Sequence, residues 1–324
     1  MLIKRIRSLF NPENFQGWGK RHSYFEGWYF KVLSQNEAHA FAIIPGVAMD
    51  DSGSRHSFIQ VLDGRKKTAE YYKFDYESFS ASGDRFLVSV GNNHFSGDSL
   101  SLDLNRLKGK LFFTGNISWP KPWYSPGIMG PYSFVPFMEC YHGIVSMDHS
   151  ISGTLACNGE TVEFDGGRGY IEKDWGSSFP EGYIWFQSNH FDVPGISIKT
   201  SVAKIPWLRS SFVGFISGIW LNNKLISFTT YNGSVLKLVR ANTDKIEVVI
   251  ENRRYRIEIA VERDSATALA SPLKGHMEGR IEESMSSDIE VYLTDRRSAQ
   301  TIFSGRGRNV ALEAAGRLDE ILTG

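Results

Sequence analysis

Two carboxylates lie two residues apart in the segment GYIEKDWGSSFPEG, residues 169–182. In a β-strand, Glu172 and Asp174 would point to one side and Lys173 to the other. Two nearby carboxyls raise the pKa of one of them, which keeps that group protonated closer to neutral pH. Glu172 and Asp174 are therefore candidates for a carboxyl group that stays protonated near neutral pH. The alternative is a solvated ion-pair cluster at a turn before Gly176.

A third carboxylate, Glu26, lies among aromatic residues in SYFEGWYFKVL, residues 23–33. We consider two roles for it: a proton donor, or a buried polar latch that bridges to an arginine such as Arg168. A related phrase returns at Glu181-Gly182-Tyr183, about half a chain later. This echo favours the latch and predicts an internal duplication.

The composition is that of a globular chain with no charge-driven partner. Its 324 residues exceed what one hydrophobic core usually holds, so two domains are expected. Basic and acidic residues number 36 each, so no net field attracts nucleic acid. Cys140 and Cys157 are the only cysteines, which argues against a disulfide framework and favours a reducing compartment. We therefore predict a cytoplasmic protein.

The first ten residues, MLIKRIRSLF, lack the continuous apolar run of a signal peptide and are compatible with a short amphipathic helix. No run of about 18 apolar residues exists in the chain, so no membrane span is expected. Peripheral membrane contact through residues 1–10 is one role for this segment, and an arm that packs on the fold or frays is the other. The apolar face of the helix would hold Leu2, Ile3, Ile6, Leu9 and Phe10.

Most of the remaining chain reads as short strands separated by turns such as Asn158-Gly159. Residues 119–136 hold five prolines and are expected to form a long loop. The lack of alternating strand and helix units excludes Rossmann and TIM architectures and leaves a closed barrel or a sandwich. A single C-terminal helix is predicted after Asn309, with helical spacing of Ala311, Ala314, Ala315, Leu318, Ile321 and Leu322.

Two segments resemble signatures of the tocopherol cyclase family. Residues 23–33 are similar to its N-terminal signature, and GYIEKDWGSSFPEGYIWFQSNHF, residues 169–191, is similar to its second. The resemblance implies a wider group that includes carotenoid hydratase-like proteins and is built from two lipocalin-like halves. We therefore expect an all-β fold of two tandem lipocalin-like antiparallel β-barrels with a C-terminal helix. The expected domains are residues 1–178 and 179–324.

The resemblance also implies a reaction, the acid-catalysed cyclisation of a prenylated quinol. A carboxylic acid protonates an alkene carbon, and a phenol oxygen captures the resulting tertiary cation. Burial beside apolar rings raises the pKa of such an acid, aromatic faces stabilise the cation, and a closed cavity excludes water. This chemistry requires no metal and no cofactor. Cys140, His142 and His149 are too loosely spaced to indicate a zinc site.

The resemblance places Glu172 first among the acids, because related proteins carry a carboxylate at the matching position, with Asp174 and Glu26 after it. Two alternatives stay open: a non-catalytic carrier of a lipid or isoprenoid, and a hydratase or isomerase of an isoprenoid. The aromatic residues expected to bind the hydrophobic ligand are Trp28, Tyr24, Tyr29, Tyr170, Trp175 and Trp185.

Overall fold

The computed structural model describes residues 2–323, and antiparallel β-strands dominate them. Met1 and Gly324, the outer ends of the two predicted domains, lie outside the described residues. The one α-helix of this part of the chain is α1, Leu2–Phe10, where the amphipathic pattern predicts it. No helix between residues 2 and 323 has the length and apolar character needed to cross a membrane. Short 3-10 helices occur at Tyr76–Ser78, Gly130–Phe134 and Leu318–Glu320.

The first sheet has twelve strands, and its long central strands carry the candidate site. In space the strands follow the order β4-β3-β2-β1-β12-β10-β9-β8-β7-β6-β5, and β11 pairs with β10. The strands are β1 (Tyr24–Leu33), β2 (Ala40–Met49), β3 (Arg55–Asp63), β4 (Thr68–Asp75), β5 (Phe79–Ala81), β6 (Leu87–Val90), β7 (Asn93–Ser96), β8 (Ser99–Asp103), β9 (Leu107–Thr114), β10 (Cys140–Cys157), β11 (Glu160–Glu163) and β12 (Gly167–Gly176).

The second sheet has eleven strands in the order β17-β16-β15-β13-β23-β22-β20-β19-β18, with β14 on β23 and β21 on β22. The strands are β13 (Gly182–Ser188), β14 (His190–Phe191), β15 (Ser197–Trp207), β16 (Ser210–Leu221), β17 (Lys224–Thr229), β18 (Val235–Ala241), β19 (Lys245–Glu251), β20 (Tyr255–Glu262), β21 (Thr267–Leu273), β22 (His276–Asp295) and β23 (Gln300–Gly316). The prediction of an all-β fold with two tandem antiparallel β-barrels is thus confirmed.

The core of the first sheet forms on one face of its central strands. Trp28 and Phe30 of β1 and Ile171 of β12 belong to one buried apolar cluster. Successive residues of a strand point to opposite faces, so Lys173 shares the core face and Glu172 lies on the other. The alternation predicted for Glu172 and Lys173 is therefore confirmed.

The chain divides into two compact units, and each unit is built from two separate segments of the sequence. Unit 1 comprises the chain up to Phe179 together with Leu269–Arg280, and unit 2 comprises Pro180–Ala268 and the chain from Ile281 onward. The predicted second domain, residues 179–324, includes residues 269–280, which the structure places in unit 1. In unit 1 this segment is held by backbone bonds, for instance from the Gly275 amide to the Ser177 carbonyl at 2.8 Å.

The predicted C-terminal helix is wrong. Residues 300–316 form β23, and only the 3-10 turn Leu318–Glu320 follows. The alanines that suggested a helix pair instead with β13, Ala315 opposite Tyr183 and Ala314 opposite Ile184. Pairing across the sheet overrides the intrinsic helix preference of alanine.

Candidate active site

The strand β12 lies between β1 and β10, and this position gathers polar side chains from three strands on the face away from the core. Glu172 is directly opposite Tyr29 of β1 on one side and Ile144 of β10 on the other. Asp174 is opposite His142 of β10 in the same way. Residues paired across a sheet share a face, so these side chains meet.

The polar side chains form a connected chain of contacts. The Tyr170 hydroxyl donates a hydrogen bond to Glu172 Oε2. The same oxygen lies 3.4 Å from His142 Nε2. The other ring nitrogen of His142, Nδ1, lies 2.6 Å from Asp174 Oδ1. Tyrosine, glutamate, histidine and aspartate are therefore linked in series by close polar contacts.

Burial differs along this chain. Glu172 is only 3 % exposed, which excludes the solvated ion-pair cluster considered for it. The Asp174 side chain, at the other end, is 24 % exposed. Burial first, and then the charge and hydrogen bond of Glu172, raise the pKa of the Tyr170 phenol well above its usual range. Tyr170 therefore stays protonated and keeps donating to the carboxylate.

His142, Glu172 and Asp174 each offer one ligand atom, and these atoms lie within 4.8 Å of one another. Their types would suit a divalent transition metal. A cation bound by one ring nitrogen would take the place of the contact between that nitrogen and its carboxylate. Both ring nitrogens of His142 face carboxylates, and both carry hydrogen in the imidazolium form. The three side chains are therefore suited to cation binding as well as to proton transfer.

The opposite face of β12 carries a second, separate ionic group. Lys173 Nζ lies 2.5 Å from Glu26 Oε1, and both side chains are fully buried. The Tyr24 hydroxyl donates to Glu26 Oε2 at 2.6 Å. Glu26 therefore has the position expected of a latch, but its partner is Lys173. The suggestion of Arg168 is wrong, because its guanidinium bonds Asp148, with Nε 3.0 Å from Oδ1.

This ion pair fixes the segment between α1 and β1. The backbone amides of Gln16 and Gly17 donate to the Glu26 carboxylate at 2.8 and 2.9 Å. Lys173 donates to the carbonyl oxygens of Pro12, at 2.9 Å, and Asn14. Each charge is thus hydrogen-bonded on several sides, which is the condition under which a buried ion pair is tolerated.

The predicted ligand-binding aromatics fall into three groups. Tyr29 and Tyr170 share the face of Glu172, as the register above requires. Tyr24, Trp28 and Trp175 lie on the face of Lys173, whose Nζ is 4.8 and 4.7 Å from the centroids of the two tryptophan rings. The sixth residue, a buried tryptophan of β13 in unit 2, is Trp185.

A cavity of about 720 Å³ in unit 1 opens near the second of these groups. Tyr24 and Trp175 line it, and the Trp175 ring stacks on Tyr141 with centroids 5.5 Å apart. The residues of the Glu172 cluster do not line it. Unit 1 therefore holds a polar cluster on one face of β12 and an aromatic cavity on the other.

Two residues at the centre of these polar groups, His142 and Lys173, carry no signal in the local sequence. His142 was considered only as a zinc ligand, whereas the structure places it between Glu172 and Asp174. From the sequence, Lys173 only separates two acids, whereas the structure shows it bound to the carbonyl oxygens of Pro12 and Asn14 in the N-terminal segment. A histidine about 30 residues upstream carries no local signal, because its contact with β12 arises from strand pairing alone.

Comparisons with known proteins find tocopherol cyclases of plants among the sequences similar to this chain. The chain is 25% identical over 377 aligned residues to a probable chloroplastic tocopherol cyclase of Oryza sativa subsp. japonica, covering 96% of this chain and 80% of that protein. It is also 25% identical over 193 residues to a chloroplastic tocopherol cyclase of Zea mays, covering 56% and 40%.

Solved structures share the architecture at low sequence identity. CghA in complex with Sch210972 matches with a TM-score of 0.57 at 10% identity, covering 90% of this chain and 88% of that one. Kievitone hydratase from Nectria haematococca matches with a TM-score of 0.50 at 12% identity, covering 90% and 89%. The model of the tocopherol cyclase-like family matches residues 110–316, which is more than half of the sequence. The chain belongs to the tocopherol cyclase-like family.

Proposed function

We propose that this protein is an enzyme that protonates an isoprenoid alkene, and that it cyclises a prenylated quinol in the manner of the tocopherol cyclases it resembles. The observation that carries the proposal is the burial of Glu172 beside Tyr170 and His142. A carboxyl in this setting is shielded from water and linked to groups that can resupply a proton.

In the proposed reaction, the carboxyl of Glu172 transfers its proton to the less substituted carbon of the alkene. The tertiary cation that forms on the other carbon is captured by the phenol oxygen of the same molecule, and the phenol proton then returns to the Glu172 carboxylate. No atom is gained or lost, so the product is an isomer of the substrate. The reaction itself consumes no cofactor.

The neighbouring side chains have supporting roles in this proposal. Tyr170 and His142 hold Glu172 in place by contacts to its Oε2 atom. Asp174 orients His142 through Nδ1 and supports its protonated form during proton return. Tyr29, opposite Glu172, offers an aromatic face on which a carbocation is stabilised by the ring quadrupole.

A hydratase is the second candidate, and one observation favours it. The chain of contacts runs from buried Glu172 to Asp174, whose side chain is 24 % exposed. Water that enters from this end would trap the same cation as an alcohol. A non-catalytic carrier is the third candidate, in which the contacts of Glu172 have only a structural role.

The decisive experiment is the Glu172→Gln substitution, which keeps the shape of the side chain and removes its acidity. With a prenylated hydroquinone as substrate, we expect turnover to fall by about 10²–10⁴-fold, while ligand affinity changes by less than about threefold. The matched control is Glu163→Gln, the same change at an exposed position of β11 in unit 1, which should retain activity.

Product mass distinguishes the two reactions, because a cyclised product has the mass of the substrate and a hydrated product is heavier by one water. Turnover of Glu172→Gln at the wild-type rate would overturn the assignment of the acid. Binding of the ligand without any conversion by the wild-type protein would indicate a carrier. If the tested hydroquinones do not bind, native mass spectrometry can identify a lipid that co-purifies with the protein, and this lipid is then tested as the substrate.

A further inference from the structure

The helix α1 is attached to unit 1 by its polar side. Ser8 is buried, and its hydroxyl donates to the Phe15 carbonyl at 2.8 Å. Lys4 Nζ lies 4.0 Å from the centroid of the Trp18 ring, and Arg5 Nε donates to the Trp18 carbonyl at 2.8 Å. These contacts turn the polar stripe of the helix toward the protein.

The apolar side of α1 consequently faces outward. Leu2 and Ile3 are 70 % and 74 % exposed, and Ile6 and Phe10 are 52 % and 39 % exposed. A surface helix of a globular protein normally buries its apolar stripe against the core. The reversed orientation costs hydrophobic free energy in water, and it points to an apolar environment outside the protein.

A second exposed apolar segment lies beside α1. Lys121 Nζ is 2.6 Å from Glu13 Oε1, and the rings of Phe134 and Phe10 are 6.1 Å apart. These contacts join the long loop between β9 and β10 to the N-terminal region. This loop exposes four aromatic side chains, namely Trp123 (79 %), Tyr124 (60 %), Phe134 (44 %) and Phe137 (52 %).

We define the docking surface as the exposed apolar residues of these two segments: Leu2, Ile3, Ile6, Phe10, Trp123, Tyr124, Phe134 and Phe137. The cavity of about 720 Å³ opens between them, since Ile6 and Leu9 of α1 and Phe134 and Phe137 of the loop line it. A hydrophobic molecule at the docking surface would therefore meet an aromatic-lined cavity without crossing bulk water.

The charges around the docking surface favour an anionic partner. The helix α1 contains Lys4, Arg5 and Arg7 and no acidic residue. Lys20 and Arg21, which follow in the chain, are also exposed. Basic residues beside exposed apolar and tryptophan side chains are typical of segments that lie in the interface of an anionic lipid bilayer.

We propose that unit 1 binds the surface of an anionic lipid bilayer through the docking surface, and that its cavity admits a lipid chain directly from that bilayer. The proposal stands on the orientation of α1, the exposed aromatics and the basic residues. It does not depend on Glu172 or on the reaction proposed above.

Vesicle flotation tests this proposal with two lipid compositions, phosphatidylglycerol mixed with phosphatidylcholine, and phosphatidylcholine alone. The full chain should float with the anionic vesicles and bind the neutral ones less. Ile3→Asp and Trp123→Ser should each weaken binding by about tenfold, and Arg7→Gln by about fivefold on anionic vesicles only. The matched control is Leu208→Asp, the same kind of change at an 82 % exposed position of unit 2, which should bind as the wild type does.

The outcomes separate clearly because every substituted residue is exposed, and circular dichroism can verify that the variants are folded. Failure of the wild type to float with either vesicle overturns the proposal, as does wild-type binding by Ile3→Asp. Light scattering measures the oligomeric state and so tests the alternative that the docking surface joins two copies of this chain. A dimer that dissociates on Ile3→Asp, without any vesicle binding, would show that the docking surface joins two copies of this chain.

Discussion

Glu172 and Lys173 are adjacent in the chain, yet their side chains belong to two unconnected polar groups on opposite faces of β12. Lys173 forms a fully buried ion pair with Glu26 on the core face. Glu172 accepts a hydrogen bond from Tyr170 on the other face. One strand thus separates a group that holds the fold together from a group suited to proton transfer. Substitutions of the two neighbours should consequently have different effects.

Removing the charge of Lys173 should destabilise unit 1. Lys173→Met leaves the Glu26 carboxylate buried without its ion-pair partner, and we expect a loss of about 3–5 kcal/mol in the free energy of unfolding. The double variant Glu26→Gln/Lys173→Met should lose less than the sum of the two single variants. Urea unfolding followed by tryptophan fluorescence measures these differences.

The matched control for this substitution is Lys204→Met in unit 2, where the lysine pairs with Glu320 at a partly exposed site. There we expect a much smaller loss in the free energy of unfolding than at Lys173, because solvent screens an ion pair near the surface. Equal losses at Lys173 and Lys204 would contradict a structural role for the buried pair.

Tyr170→Phe should slow the reaction without unfolding the protein. The ring stays, but Glu172 loses a hydrogen bond to its charged form, a contact worth about 1.5–3 kcal/mol, so turnover should fall by about 10–100-fold. The control is Tyr72→Phe, which removes another tyrosine–glutamate bond, to Glu70 on β4, at the edge of the same sheet. Equal turnover in the two variants would show that Tyr170 does not position the acid.

Stability should fall at mildly acidic pH because of His149. Burial, and then the charge of Arg168, lower the pKa of this histidine from 6.5 to about 3. The unfolded chain therefore binds more protons than the folded one between those values, so stability is complete above pH about 6.5 and is lost as the pH falls toward 3. The expected slope is at most about 1.4 kcal/mol per pH unit. Burial lowers the pKa of His56 to about 4, which adds a contribution of the same sign.

The slope of stability against pH isolates the contribution of His149 from any loss of packing. The ring lies 4.5 Å from that of Phe113, so substitutions will also disturb the core. His149→Gln and His149→Asn differ in volume but both remove the titrating group. Both should flatten the slope between pH 4 and about 6.5. A slope that matches the wild type in both variants would assign the acid sensitivity to other residues.

The local sequence pattern predicts which residues of one strand share a face, but it does not predict which strands pair. Alternation within a strand placed Glu172 and Asp174 on one face, because the side-chain period of a strand is fixed. The register of β10 against β12 does not follow from alternation, because the pairing is irregular between Ile144 and Ser146 and between Ser146 and His149. Such bulges change which residues face each other, so the approach of His142 to Glu172 depends on tertiary structure.

Pairing between distant strands also explains two other differences between the sequence-based predictions and the structure, the partner of Glu26 and the absence of the predicted C-terminal helix. Glu26 and Lys173 are 147 positions apart, and their contact follows from the pairing of β1 with β12, in which Trp28 lies opposite Lys173. The alanines of β23 have helical spacing, but Ala311, Ala314 and Ala315 each lie opposite a residue of β13. Contacts between distant strands decided both outcomes, and no local window of sequence contains them.

The discontinuity of unit 1 has a consequence for the order in which the chain can fold. Residues 269–280 belong to unit 1, although they are synthesised about 100 residues after Phe179. At a translation rate of ~5–20 residues per second, this delay is about 5–20 s. During that time the nascent first barrel lacks the segment whose Gly275 amide bonds Ser177. Its exposed surface must stay soluble, or be protected by a chaperone, until most of unit 2 has left the ribosome.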